Sequence, residues 1–187
     1  LKDRREEVEK RNPAIIFENN KYINIRNKYD NSLDYIQDYE SVEQSTKKAK
    51  DSELIVLGSG NLGLIYLTQW KQRLNYEELA MLFPDLIPGL VKHSGIGFIL
   101  VNSISNGGMV IGENGIYYLE NDEIVGENPL TDFGKNAAMH LKRQNNFENM
   151  PDILVNSFYD SENDEVCAFE ELIGSHGGLG GDQTKPF

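Results

Sequence analysis

The sequence predicts an α/β fold, and two observations support this prediction. Short apolar segments of strand length alternate along the chain with segments of helical pattern, as expected when helices pack on a sheet. The strand-like segments are rich in β-branched and aromatic residues and are bounded by glycine, asparagine or proline, which is typical of strands. A chain of 187 residues is the size of one domain, or of one domain with an appendage.

Residues 1–50 differ in pattern from the rest of the chain and are predicted to form a charged peripheral or cap segment. Its candidate elements are two helical runs and two short strands, at residues 1–11, 41–50, 14–17 and 22–25. Residues 51–187 are predicted to form the main α/β body, because the apolar pattern is denser there.

The elements of the main body follow in chain order. Strands are expected at residues 53–57, 62–68, 95–101, 109–111, 116–119 and 153–155. Helices are expected at residues 75–83, at 131–143 with Thr131 as the cap, and at 165–173. Pro84 and Pro88 are expected to break the stretch after the first of these helices into turns. Asn114-Gly115 is a hairpin signal between two of the strands.

Charge and cysteine content restrict the partners of the chain. The formal net charge of −12 disfavours a nucleic-acid duplex or an anionic membrane, since both attract basic surfaces. No apolar run approaches the ~20 residues of a membrane helix, so the chain is expected to be soluble and to make no direct membrane contact. Cys167 is the single cysteine, which excludes an internal disulfide and a multi-thiolate zinc site. Its apolar neighbours predict a buried, inert thiol.

A glycine motif at residues 58–63 matches the pattern G-x-G-x-x-G after a strand. In a dinucleotide-binding fold, such glycines let a pyrophosphate approach the N-terminus of a following helix. Here the following residues are β-branched and aromatic, and no acidic residue ends a second strand about 20 positions on. The motif therefore predicts a strand-to-strand turn. A nucleotide-binding Rossmann-type domain is the alternative, and it requires a helix directly after Gly63.

Two other motifs are interpreted as structural. Asp132-Phe133-Gly134 matches the metal-binding triplet of kinases, but the other kinase motifs do not accompany it, so it is interpreted as a helix start. Residues 160–171 place acidic side chains at the spacing of a calcium loop, but Glu165 stands where that loop needs glycine. An acidic solvated loop leading into a helix is predicted there.

Of the three histidines, His176 is the candidate functional residue. His93 and His140 lie in helical patterns and are interpreted as structural or surface residues. His176 lies in the glycine-rich loop 174–181, where few side chains obstruct the approach of an imidazole to a metal or an anion. A plain turn is the other interpretation of the same loop.

Residues 175–181, with Pro186-Phe187 behind them, resemble the last metal-ligand loop of type I phosphodiesterases and their relatives in the alkaline phosphatase superfamily. The similarity extends to a bacterial group of membrane-associated alkaline phosphatase family proteins. The segments that carry it are Ser-Gly-Asn-Leu, His-Ser-Gly-Ile-Gly-Phe, the stretch from Pro151 to Asp160, and Phe-Glu-Glu-Leu-Ile-Gly, at residues 59–62, 93–98, 151–160 and 169–174. The resemblance covers residues 53–187.

The resemblance implies the C-terminal portion of an alkaline-phosphatase-like three-layer sandwich with an antiparallel β excursion. It implies that His176 is a ligand of one of two divalent metals, usually zinc, and that the parent protein hydrolyses phosphodiesters or phosphomonoesters. It also implies that the rest of the parent catalytic domain is a partner and that the parent is membrane-associated.

The family's nucleophile and its other ligand segments are not found in this sequence. The chain is therefore expected to be a fragment that is inactive alone, and no catalytic or cofactor-binding residue is assigned besides the metal ligand His176. A non-catalytic binding or structural module is the main alternative. The roles of Asn61, Asp152 and Asn156 are left open by the sequence.

Overall fold

The structure is a computed structural model that describes residues 15–18, 21–24, 53–170, 176–181 and 183. Its strands are β1 (Ile15–Glu18), β2 (Lys21–Asn24), β3 (Leu54–Ser59), β4 (Leu62–Leu67), β5 (Ile96–Ser103), β6 (Gly107–Ile111), β7 (Gly115–Tyr118), β8 (Glu123–Gly126), β9 (Ile153–Ser157), β10 (Tyr159–Asp160) and β11 (Glu165–Val166). Its helices are α1 (Tyr76–Leu82), α2 (Leu86–Val91) and α3 (Ala137–Asn145).

Nine of the described strands form one sheet in the order β2-β1-β3-β4-β9-β5-β6-β7-β8. All of its described pairings are antiparallel, so antiparallel structure is the rule in this sheet and is not confined to an excursion. Most neighbours are joined by hairpins, and β9 inserts between β4 and β5 after α3. The prediction of mixed helices and sheet is confirmed.

Helices pack on both faces of this sheet. One apolar cluster joins the sheet to α1 through Leu79 and to α2 through Ile87, and a second cluster on the opposite face joins it to α3 through Leu141. Strand β5 serves both clusters because its side chains alternate, Phe98 belonging to the second cluster and Ile99 to the first. The central strands are therefore buried on both faces.

The helix expected at residues 75–83 is confirmed. Asn75 is its N-cap, and the backbone N–H of Asn75 donates to the Glu78 carboxylate at 2.8 Å, which satisfies a donor at the helix end. The stretch after this helix was predicted to form turns only, but Leu86–Val91 forms the short helix α2, with Pro88 as its third residue. Proline fits there since the N–H groups of a first helical turn have no partner within the helix.

The helix expected at residues 131–143 begins later than predicted, at Ala137, with Asn136 as its N-cap. Gly134 has a φ of 92°, which a right-handed helix does not accept, so Thr131 lies in a turn and its hydroxyl donates to the Asn128 carbonyl. Phe133 of the Asp-Phe-Gly motif lies in this turn and packs edge-on against Phe98 with ring centroids 4.8 Å apart. The prediction that this motif starts a helix is wrong.

The prediction of a helix at residues 165–173 is also wrong for the described residues 165–170. Glu165–Val166 forms β11, which pairs with β10 in a separate two-stranded sheet, and residues 167–170 are not helical. Asp164 has a φ of 55° and accepts a hydrogen bond from the Tyr159 hydroxyl at 2.8 Å. These features close a hairpin where the sequence pattern suggested a helix start.

The strand predictions from residue 53 onward are confirmed with small shifts of their ends, and the hairpin at Asn114-Gly115 joins β6 to β7. Strand β1 pairs with β3, with Ile15 opposite Val56, so the two strands found within the first fifty residues extend the main sheet. The helices expected at residues 1–11 and 41–50 lie outside the described residues. No helix in the described part combines the length and the apolar character needed to cross a membrane.

Candidate functional site

The candidate site is built around the glycine motif at residues 58–63, which forms the turn between β3 and β4. Ser59 pairs with Leu62 across this turn, so Gly60 and Asn61 are its two central residues. Gly60 has a φ of 60°, a conformation that favours glycine in a two-residue hairpin turn. The sequence thus folds locally into a tight turn at one end of the sheet.

Strand β4 begins at Leu62 and continues through the motif. The strand predicted at residues 62–68 is therefore confirmed. The dinucleotide-binding alternative needs a helix N-terminus directly after Gly63 to meet a phosphate, and the structure has a strand at that position.

The glycine-rich loop lies against this turn and is held by two asparagine side chains. The Gly178 N–H donates to Asn61 Oδ1 at 2.9 Å, and Asn61 Nδ2 donates to the Leu179 carbonyl at 2.8 Å. Asn156 in β9 accepts from the Leu179 N–H at 2.7 Å and donates to the Leu179 carbonyl at 3.0 Å. Both asparagines are buried, with 0% and 1% of their surface exposed, and the loop satisfies their polar groups.

Backbone contacts draw the same loop close to the turn. The Asn61 N–H donates to the His176 carbonyl at 3.0 Å, and the ideal Cβ position of Gly60 overlaps that carbonyl oxygen. A Cβ on Gly178 would lie 2.6 Å from Asn156 Oδ1, closer than side-chain atoms approach. Glycine at these two positions is therefore what allows the loop to dock.

A neighbouring segment supports the turn from the other side. The Gly60 N–H donates to the Glu170 carboxylate at 3.0 Å, and the Phe169 N–H donates to the Gly60 carbonyl at 2.7 Å. Both backbone groups of Gly60 thus have partners in the segment that precedes the glycine-rich loop. The turn therefore has hydrogen bonds to Phe169 and Glu170 in addition to its contacts with the glycine-rich loop.

His176 lies at the start of the described part of the loop, and its side chain is exposed. Its Nδ1 is 3.5 Å from the Ser59 hydroxyl oxygen, a long contact for a hydrogen bond. Nε2 can bind a metal in the tautomer in which Nδ1 carries the proton and donates to the Ser59 oxygen. Ser59 is the described residue whose side chain faces the ring.

The donor set around His176 fits one metal ligand and not a complete metal site. Among the described residues, no three side chains of His, Cys, Asp or Glu lie together in a way that could hold a metal ion. A catalytic zinc site usually has three protein ligands. The described part of this chain therefore has at most one imidazole to contribute to such a site.

Asp152, whose role the sequence left open, lies away from the loop and has a structural role. It is fully buried, and its two carboxylate oxygens accept the backbone N–H groups of Leu67 and Leu74, each at 2.6 Å. These residues lie at the two ends of the segment that connects β4 to α1. Asp152 thus stabilises that connection. It directly precedes β9, the strand that contains Asn156.

The other two histidines do not join His176 in the structure. His93 is exposed after α2, and its Nδ1 accepts a hydrogen bond from the Gly95 N–H at 3.1 Å. His140 is exposed on α3. Both placements agree with the interpretation of these residues as surface or structural histidines.

Cys167 is exposed, so the prediction of a buried thiol is wrong. The residue follows the short β10–β11 hairpin, whose tip is solvent-exposed, and its backbone N–H donates to the Phe158 carbonyl at 3.0 Å. Phe169, two residues further on, is the apolar residue of this segment that packs against the first cluster, so apolar neighbours in sequence did not decide which side chain is covered.

The acidic residues at 160–164 close the β10–β11 turn and do not form a calcium loop. Asp160 Oδ1 accepts the N–H groups of Glu162 and Asn163 at 2.9 and 3.3 Å. The Asn163 side-chain hydrogen bond, together with these two backbone N–H groups, lowers the pKa of the Asp160 carboxyl. Asp160 thus binds the backbone of its own turn, and residues 161–165 are exposed, which agrees with the predicted solvated acidic loop but not with the helix expected after it.

Sequence reasoning missed Asn61 and Asn156 as parts of the site. The available signal was Asn156 itself, a polar residue inside the buried strand Ile153–Ser157, because a buried amide must find partners. Its partner loop lies elsewhere in the sequence, so the pattern gave no indication of which groups it binds.

Comparisons of this chain with family models, with curated proteins and with solved structures find no match.

Proposed function

We propose that this chain is the C-terminal part of a metal-dependent phosphate-ester hydrolase related to the alkaline phosphatase superfamily. In this proposal His176 supplies one metal ligand, and the rest of the parent catalytic domain supplies the nucleophile and the other ligands. The substrate class is a phosphodiester or phosphomonoester, the metal is zinc, with two ions in the parent, and the parent is associated with a membrane.

One observation carries the proposal. The His176 imidazole is exposed at the edge of a loop whose backbone is fixed by buried amides and by the β3–β4 turn. A fully satisfied network of buried amides rigidifies the segment that it binds. An exposed imidazole on a rigid support is the arrangement that a metal ligand requires.

The fold is compatible with the same proposal. The large sheet has helices on both faces, and the candidate loop lies at one end of its central strands β4 and β9. We propose that these layers are the C-terminal portion of an alkaline-phosphatase-like three-layer sandwich. The edge strands β2 and β8 are where additional strands of a parent domain can pair.

The chemistry assigned to this chain is limited to holding and orienting one ligand. Paired divalent metals, when bound, activate the nucleophile and stabilise the entering and leaving oxygens of the phosphoryl group. In the tautomer in which His176 Nδ1–H donates to the Ser59 hydroxyl oxygen, the Nε2 lone pair is left for coordination. The carbonyl of His176 accepts a hydrogen bond from the Asn61 N–H, which restrains the main chain of the proposed ligand.

The test compares this chain with a longer parent protein that contains it. The isolated chain is expected to show no turnover above background on nitrophenyl phosphate esters with zinc or manganese, because it lacks a nucleophile and most ligands. In the parent, His176→Ala is expected to abolish metal-dependent hydrolysis. In the isolated chain it should change the free energy of unfolding by less than about 0.5 kcal/mol, as for an exposed side chain.

His93→Ala and His140→Ala are the matched controls, since both remove an exposed imidazole elsewhere and should leave the parent's activity intact. Metal-dependent turnover by the isolated chain that disappears in His176→Ala would contradict the fragment interpretation. A destabilised His176→Ala chain together with a fully active mutant parent would identify the loop as a packed turn. That result would favour the alternative of a non-catalytic structural module.

A further inference from the structure

The two buried asparagines, Asn61 and Asn156, have a role beyond filling the end of the sheet. We propose that they are positioning residues that hold the Gly178–Leu179 backbone and so present His176 to a metal in one orientation before the metal binds. This inference rests on the proposed role of His176 as a metal ligand. It assigns a function to two residues for which the sequence suggested none.

The hydrogen bonds converge on two consecutive residues of the loop. Asn61 binds the Gly178 N–H and the Leu179 carbonyl, and Asn156 binds both the N–H and the carbonyl of Leu179. Each amide therefore acts as donor and acceptor at once, through its nitrogen and its oxygen. A glycine-rich backbone has many accessible conformations, and these contacts select one of them.

The support behind the asparagines is rigid. Asn156 pairs directly with Leu62 in the register of β4 and β9, and the Ser157 N–H donates to the Asn61 carbonyl at 2.9 Å. Asn156 thus starts from strand β9 and Asn61 from the β3–β4 turn beside it, and the Ser157 N–H joins the two backbones.

The contacts also restrain the backbone that directly follows the histidine side chain. Asn61 holds the His176 carbonyl through its own backbone N–H and the Gly178 N–H through its side chain. The backbone on both sides of Gly177 is therefore restrained, which limits the directions in which the His176 side chain can point. Fixing a ligand in its bound conformation lowers the entropic cost of binding, so the asparagines should raise metal affinity without touching the metal.

Isosteric variants of the full 187-residue chain test the first half of this inference. Asn156→Asp keeps the acceptor for the Leu179 N–H and replaces the donor that faces the Leu179 carbonyl with an oxygen. Amide hydrogen exchange at Gly178 and Leu179, followed by NMR, should become at least roughly tenfold faster. The nuclear Overhauser contact between the His176 ring and the Ser59 methylene protons should weaken.

Asn102→Asp is the matched control. Asn102 belongs to a different amide network, donating to Asn75 Oδ1 at 3.1 Å and accepting from Asn145 Nδ2 at 3.1 Å. Its variant removes the same kind of donor without touching the loop, so the loop amides should exchange at the wild-type rate. If Asn156→Asp does not fold, Asn61→Asp provides the same measurement from the turn, where no strand pairing depends on the side chain.

The second half is tested by zinc affinity in the longer parent. Loss of a residue that orients a metal ligand typically weakens metal binding by about 10- to 100-fold, and this is the effect expected for Asn156→Asp. Unchanged exchange at Gly178 and Leu179 would overturn the positioning role and leave the proposed function standing. Faster exchange with unchanged zinc affinity, while His176→Ala abolishes binding, would overturn it in the same way. Unchanged zinc affinity in His176→Ala would overturn both.

Discussion

Replacing the buried carboxylate of Asp152 by an amide, in Asp152→Asn, should destabilise the chain substantially. The substitution keeps the size and shape of the side chain but removes one of two acceptor oxygens. In the structure those oxygens serve two different donors, the Leu67 N–H and the Leu74 N–H, each at 2.6 Å. An asparagine can accept only one of them and directs its own N–H groups at the other.

The magnitude follows from these two bonds. Hydrogen bonds to charged groups contribute about 1.5 to 3 kcal/mol and neutral ones about 0.5 to 1.5 kcal/mol, so the surviving bond weakens by roughly 1 kcal/mol. The orphaned N–H is buried, because Asp152 is fully buried, and an unsatisfied buried donor costs about 1 to 3 kcal/mol. The free energy of unfolding should therefore fall by about 2 to 4 kcal/mol.

Equilibrium unfolding in urea at neutral pH measures this difference through the midpoint at constant slope. Asp85→Asn is the control, because Asp85 is exposed at the start of α2 and makes no side-chain capping bond. It removes the same charge and should change stability by less than about 0.5 kcal/mol. If Asp152→Asn were destabilised by no more than this control, the carboxylate would not be what fixes the β4–α1 connection.

Three further predictions concern other parts of the chain. Gly60→Ala should lower the free energy of unfolding by about 2 to 4 kcal/mol, since its φ is 60° and its Cβ would overlap the His176 carbonyl; Gly89→Ala, in open space on α2, should instead raise it by up to about 1 kcal/mol. Equal urea midpoints for these two variants would contradict the docking geometry. Cys167 is exposed and should react with an aromatic disulfide reagent in native buffer, whereas colour released only in denaturant would indicate a buried thiol. Burial acts to raise the pKa of the Glu77 carboxyl, but hydrogen bonds from a serine hydroxyl and backbone N–H groups outweigh it and lower that pKa. The resulting stabilisation is present above the unfolded-state pKa and is lost as pH falls through the folded-state value. Glu77→Gln should therefore lose less stability than the wild type between pH ~6 and ~3, and parallel loss in both proteins would refute this.

Local sequence patterns predicted the strands well and the helices less well. The strands at residues 62–68 and 95–101 could be recognised because alternating or continuous apolar residues bounded by glycine or asparagine specify an extended segment locally. The helix at residues 75–83 was recognised from Asn75 and the acidic first turn. The helix expected at residues 165–173 failed for its described part, because a hairpin closed by a hydrogen bond between Tyr159 and Asp164 competes with the helical pattern.

Other errors have the same origin. Thr131 looked like a helix cap, but Gly134 interrupts the helical backbone and Phe133 turns into the core. Cys167 was expected to be buried because of its neighbours in sequence, but it is exposed, and Phe169 of the same segment packs against the apolar cluster. In each case a tertiary contact or a backbone conformation overrode a preference of about 1 kcal/mol or less per residue.

The sequence by itself determined the mixed helix and strand content, the turn at the glycine motif, and His176 as the residue to examine in a loop with few side chains. Only the tertiary structure decided that Asn61 and Asn156 hold that loop, that Ser59 faces the imidazole, and that Asp152 is structural. The physical reason is that local propensity and hydrophobic period act within a few residues. The partners of a buried polar group, in contrast, come from whichever segments the sheet brings together.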